Sequence, residues 1–220
     1  VITGGWTGDN TPPTVSRISG ADRFAVGVAI SMNAFPGNPA NVPVVYVTTG
    51  YKYPDALSAA PAATKYGGPL LLTAPDALPA AVRNEIIRLH PAKIVVVGGP
   101  ASVSPAVFSD LQTLSPTPAD TIRLGGADRY EASRNIVEDA WCQHLVSCPG
   151  ATGVYIATGN NFPDALSASG PAGAFDMPVI LVNGTASSLD AATRALLIRL
   201  NPSFIKIAGG PASVSAGIQS

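Results

Sequence analysis

Aspartate, arginine and serine recur in this sequence at fixed distances from glycine, and they are the residues through which it could do chemistry. Arg17, Asp22 and Arg23 surround Gly20, and Arg123, Asp128 and Arg129 surround Gly126 in the same order. A guanidinium suits carboxylate, phosphate or sugar-hydroxyl contacts, and it serves equally to bridge neighbouring elements. An Asp in the first turn of a helix stabilises that end, so half of the block has a structural explanation. Asp55 and Asp164 open identical Asp-Ala-Leu-Ser-Ala segments that carry Ser58 and Ser167. Because these carboxylates follow a strand end, ion pairs Arg23 to Asp55 and Arg129 to Asp164 are expected if the arginines only support the fold. Ser102 and Ser213 lie in letter-for-letter copies of Gly-Gly-Pro-Ala-Ser-Val-Ser. Strand, Gly-Gly, helix would point free backbone N–H groups at an anion, with Ser102 or Ser104 as a cap. A tight turn that lets a helix pack closely is the plainer reading.

Catalytic and cofactor chemistry have little to stand on. His90 and His144 occupy non-equivalent positions, no Gly-x-Ser-x-Gly elbow is present, and neither Ser58 nor Ser167 has an identifiable base. Asp22 and Asp55 could in principle form the acid and base of a glycan hydrolase, but nothing in their spacing fixes a separation. The Gly-Gly turn lacks the spacing of a dinucleotide fingerprint, and Arg123 stands where a ribose-binding acid would be expected, so no cofactor is predicted. Cys142, Cys148 and the nearby His144 would make three ligands at most, too few for a structural zinc site, and no metal is predicted. A local disulfide between the two cysteines is expected, with a reduced buried pair as the alternative. The bridge would indicate an oxidising, extracytoplasmic compartment.

These residues must be positioned by a core. The chain has 220 residues and is 46% hydrophobic, enough for one large or two ordinary domains. Charged residues are 12% of it and nearly cancel at net −1, so no basic field attracts nucleic acid or an anionic membrane. No apolar run reaches the roughly 20 residues of a membrane span, which excludes membrane insertion by a helix. The opening at Val1, without an initiator Met or a charged-then-apolar leader, suits a processed protein or a fragment.

Three blocks recur in the same order, so one unit is written twice. The offset grows from 106 residues (Gly20 to Gly126) to 109 (Thr49 to Thr158) and 111 (Gly98 to Gly209). The first insertion falls between Tyr130 and Thr158, where the cysteines lie, so that loop elaborates copy two alone. Apolar runs at 44–47, 69–72 and 93–97 end in Gly or polar residues, as strands buried on both faces do. Val82, Ile86 and Leu89 recur at helical spacing after Pro79. The expected fold class is therefore α/β, tandem repeats that each hold a mostly parallel sheet flanked by helices. Residues 17–122 form copy one, 123–220 copy two, and 1–16 the end of a preceding copy with a linker, since Val1-Ile2-Thr3-Gly4-Gly5 is similar to residues 95–99. Leu70, Leu71, Ile94, Val96, Ile180 and Ile205 are predicted core.

In sum, Arg-x-x-Gly-Ala-Asp-Arg, then Thr-Gly and Pro-Asp-Ala-Leu-Ser-Ala, then Pro-Leu-Leu-Leu or Pro-Val-Ile-Leu, then Gly-Gly-Pro-Ala-Ser-Val-Ser resembles the cell-wall-binding repeat type 2 family. The resemblance runs from about Arg17 to Ser220. It implies Rossmann-like repeats around a three-fold or pseudo-three-fold axis, in exported proteins of Gram-positive bacteria that usually carry three repeats. It also implies a non-catalytic anchor that holds a secreted protein non-covalently to an anionic cell-wall polymer. The polymer-binding or repeat-interface residues would then be Arg17, Asp22, Arg23, Asp55, Ser58, Ser102, Arg123, Asp128, Arg129, Asp164, Ser167 and Ser213. The alternatives are a cell-wall glycan hydrolase using carboxylates near Asp55 and Asp164, and a self-assembling surface protein. With two complete copies, self-association or contact with a further repeat is expected.

Overall fold

A computed structural model describes residues 14–39, 42–143, 148 and 151–220. The strand-like opening at residues 1–5 and His144 lie outside them. Copy one runs α1 (Arg23–Ala34), β1 (Val44–Thr49), α2 (Pro54–Lys65), β2 (Leu70–Thr73), α3 (Ala80–Leu89), β3 (Lys93–Val97) and α4 (Pro105–Gln112). A 3-10 turn at Pro118–Asp120 leads into β4 (Thr121–Leu124). Copy two repeats the order as α5 (Arg129–Val137), β5 (Gly153–Thr158), α6 (Pro163–Ala174), β6 (Val179–Val182), α7 (Ala191–Leu200), β7 (Phe204–Ala208) and α8 (Ala216–Gln219). No helix among the described residues is long and apolar enough to cross a membrane.

The strands form two parallel sheets, β2-β1-β3-β4 and β6-β5-β7. Register is the same in both: Tyr46 lies opposite Leu70 as Tyr155 lies opposite Val179, and Val44 opposite Lys93 as Gly153 opposite Phe204. Alternation explains why β1 is apolar throughout. Val45 and Val47 pack on Val82, Ile86, Val107 and Leu111 of α3 and α4, while Val44 and Tyr46 face Ala59, Ala62 and Ala63 of α2. Leu71, Ile94, Val96 and Ile180 are buried as predicted, and Leu70 is half-buried. Ile205 is not core: it is 46% exposed, whereas its counterpart Ile94 is fully buried.

The helix after the strand differs: Val107 and Leu111 of α4 pack with Ile94, whereas the counterpart α8 spans only Ala216–Gln219. Thr121 pairs with Ile94, and Leu124 with Val97, so β4 completes the sheet of copy one. The helix that follows it, α5, packs instead on α2 and β6. The sequence boundary between residues 122 and 123 thus falls inside a strand. The outer edge of β7 has no strand beside it among the described residues, and Ile205 is left uncovered.

The two copies meet along α2, α5 and α6. Pro61 sits inside α2 and has no N–H for the Leu57 carbonyl one turn back. Ser169 of α6 reaches that carbonyl, its hydroxyl 2.8 Å from both the Leu57 oxygen and the Ala165 oxygen of its own helix, which share its proton. The Ser58 and Ser133 hydroxyls meet at 2.8 Å in the same buried seam, and Lys65 pairs with Asp176 at 2.9 Å near its rim. Cys142 and Cys148 are disulfide-bonded, six residues apart. The bridge follows a single π-helical turn, Glu138–Cys142, whose Trp141 and Cys142 are buried beside Ala151.

Candidate functional site

Each Gly-Ala-Asp-Arg block opens a helix. Asp22 is the N-cap of α1 and accepts from the Ala25 N–H at 2.8 Å; Asp128 caps α5 and accepts from Tyr130 and Glu131 at 2.9 and 2.8 Å. The arginine beside each cap reaches back to its own copy. Arg23 donates to the Gly50 carbonyl and Arg129 to the Gly159 carbonyl, both at 2.6 Å. A side chain at Gly50 would lie 2.9 Å from the Phe24 ring and 3.1 Å from Arg23, so glycine is needed there for close approach. The expected ion pairs are therefore not made: among the described residues the salt bridges include neither Arg23 with Asp55 nor Arg129 with Asp164. A main-chain oxygen at the strand end lies closer to each guanidinium.

The Gly-Gly segments are turns and not helix openings. After Gly98 and Gly99 the chain needs five more residues before α4 begins at Pro105, so no helix N-terminus stands behind the glycines. Ser104, and not Ser102, is the N-cap, accepting from Val107 at 3.3 Å. Gly98 has φ +108°, and a Cβ on it would fall 2.6 Å from an Asp55 carboxylate oxygen; Gly209, at φ +118°, stands in the same relation to Asp164. Arg123, on β4, donates to the Gly98 carbonyl at 2.8 Å and lies 4.7 Å over the Phe108 ring. It ties the fourth strand to this turn, and burial holds its basicity below the ordinary arginine range.

These parts converge on one cleft of about 240 Å³ at the carboxyl ends of the strands. Asp55 and Ser102 come from copy one, and Asp128 and Arg129 from copy two; Lys52 and Gly126 are also among the lining residues. Burial pushes the Asp55 carboxyl up from its ordinary value, while a hydrogen bond from Ser102 and the charges of Lys52 and Arg129 pull it partly back. The Arg129 charge therefore acts on the aspartate of the other copy. Lys52 escapes a search for repeats because copy two has Asn161 in its place.

The remaining predicted residues lie elsewhere. Ser58 is buried in the seam between copies. Asp164 and Ser213 sit under the Gly209 turn with no third block beside them among the described residues, and Ser167 is exposed on α6. Arg17, Asp22 and Arg23 are exposed and do not line this cleft. Among the described residues no group of three or more His, Cys, Asp or Glu could hold a metal ion.

Residues 17–108 and 123–219 match the cell wall binding domain 2 (CWB2) family, covering both copies. The chain belongs to the CWB2 family. Two curated relatives come from Bacillus subtilis (strain 168). The N-acetylmuramoyl-L-alanine amidase LytC is 30% identical over 207 residues, 93% of this chain and 37% of the amidase. The Amidase enhancer is 30% identical over 175 residues, 80% of this chain and 22% of its own length. The solved structures of Cwp6 and Cwp8 from Clostridium difficile match with TM-scores of 0.79 and 0.76 at 26% and 29% identity. They cover 96% and 92% of this chain and 33% and 32% of their own. The chain thus spans little more than a third of these relatives at most. As a CWB2 protein it is secreted and cell-wall-associated.

Proposed function

We propose that this chain is a non-catalytic module that anchors a secreted protein non-covalently to an anionic polymer of the Gram-positive cell wall, and that it holds the polymer at the seam between CWB2 copies. The cleft shared by Asp55, Ser102, Lys52 and Arg129 carries this reading. Lys52 and Arg129 and the first turns of α2 and α5 border it beside the carboxylates of Asp55 and Asp128, so an anion would be gripped by placed cations and helix ends and not by net charge. Asp55 is nearly buried and held by Ser102, so it orders the turn and is poorly presented to a glycosidic bond. Arg129→Lys keeps the charge but loses the planar fork. It should weaken binding to purified wall sacculi while the melting temperature hardly moves, and stripping the anionic polymers should abolish binding. Unchanged affinity, or release of soluble sugar from intact sacculi, would refute the anchor reading.

A further CWB2 repeat is the partner we assign to the open faces. Ser133 is buried between Ser58 and Leu181, but its counterpart Gly27 lines an open apolar groove of about 450 Å³ with Ile30 and Ala63. The free edge of β7 and the exposed Ile205 match the place that β4 fills in copy one. Each face is complementary to one the chain already pairs internally, which is the geometry of a repeat array.

A further inference from the structure

A second cavity, of about 330 Å³, opens at the other end of the first sheet, beside Val44 and Lys93, the first residues of β1 and β3. Copy one contributes Tyr46, Tyr66 and Lys93 to it, and the π-helical turn of copy two closes it with Asp139 and Gln143. That turn leads into the disulfide, and α1, the counterpart of α5 in copy one, has no such π-helical turn.

Tyr46 singles it out. The residue is fully buried, and its hydroxyl is a buried side-chain polar atom with no hydrogen-bond partner. Buried polar atoms in folded proteins are nearly always satisfied, and the exceptions call for a specific explanation. Burial and the Asp139 carboxylate push the phenol up, so it is a neutral O–H group able to donate and accept. Tyr66 does not serve it: no partner lies within bonding reach of the Tyr46 hydroxyl, and the Tyr66 hydroxyl itself donates to the Ala140 carbonyl at 3.1 Å. Lys93 and Asp139 stand 3.8 Å apart, at the long limit of an ion pair, where a hydroxyl could bridge them.

From this geometry we infer a binding site for an uncharged, hydroxyl-rich ligand the size of one sugar ring, held between Tyr46, Lys93 and Asp139. The charges of Lys93 and Asp139 cancel, which disfavours an anion or a cation. Pro43, Val44, Val95 and the Tyr66 ring offer apolar surface for the carbon face of a pyranose. The volume is at the lower end for small-molecule pockets, which suits one ring better than a chain. This site lies away from the Asp55 cleft and does not depend on the anchor reading.

Titration of the whole chain with glucose, N-acetylglucosamine and glucose 6-phosphate, followed by NMR of labelled tyrosines, tests it. Saturable binding of a neutral sugar at about 1 mM or tighter, with shifts at Tyr46 and Tyr66, is the expected result. Tyr46→Phe should weaken it tenfold or more with an unchanged fold. Lys93→Ala, which leaves the buried hydroxyl in place, should weaken it likewise. Absence of saturable binding, in which case only water occupies the cavity, would overturn the inference. So would equal affinity for the phosphate, or affinity that survives both substitutions.

Discussion

Leu57 and Leu166 hold the same position in equivalent helices, yet one is 4% exposed and the other 59%. Leu57 packs on Ala165 and Ala168 of α6; Leu166 projects from the face of α6 that no described residue covers. The pair reports which side of a copy is sealed.

Leu57→Ala should therefore cost about 2–4 kcal/mol in a urea melt, as a truncation inside a packed core does. Leu166→Ala should change stability by less than about 0.5 kcal/mol in a monomer. The same Leu166 substitution should weaken self-association, or contact with a further repeat, in analytical ultracentrifugation. Equal costs in the two melts would mean that the seam is misplaced.

Ser169→Ala removes the side-chain donor that reaches the Leu57 carbonyl where Pro61 has no N–H. The loss should be about 1–3 kcal/mol, the cost of stranding a buried acceptor. Pro61→Ala restores a helical N–H to that carbonyl. In a double-mutant cycle the serine loss should shrink when Pro61 is already Ala, and strict additivity would rule the relationship out.

The Asp55 carboxyl is raised above its unfolded value of 3.8, chiefly by burial. The folded state then holds its proton where the unfolded state has lost it, so this group's contribution is complete at low pH and declines as pH rises through the raised value. Asp55→Asn lacks this titration. Relative to that variant, wild type should lose stability as pH rises above the unfolded value of 3.8, measured by paired urea melts. A difference that does not vary with pH would show that the carboxylate is not desolvated.

Reduction of Cys142–Cys148 should lower stability by about 2 kcal/mol, since the closed loop is short. Mass spectrometry of the untreated protein should find no free thiols. Two reactive thiols in native material would contradict the bridge.

The layered α/β architecture was legible in the sequence because β1, β2 and β3 each carry an apolar run and each block occurs twice. What sequence could not reveal is where one copy ends in space. A tandem repeat can be cut at any point along its period with the same self-similarity. Only hydrogen bonding assigns β4 to the sheet before it and α5 to the layer after it. The expectation for Ile205 failed because α3 and α4 cover Ile94, while the short α8 leaves Ile205 exposed. The ambiguity misled the pairing of arginine with aspartate, because the Arg129 charge acts on the carboxylate of the other copy while its hydrogen bond goes to a glycine carbonyl of its own. Lys52 was invisible for a different reason, having no twin.

The Asp55 cleft draws one wall from each copy, so on the proposed reading capacity for polymer follows the number of junctions and not the number of repeats. Copies laid in line always own fewer junctions than units, and the two outermost walls stay idle. Bringing the ends together turns both idle walls into a working cleft without adding a residue. A substitution in a middle repeat would then damage two neighbouring clefts through different walls, and its effect on avidity would exceed that of the same change at an end.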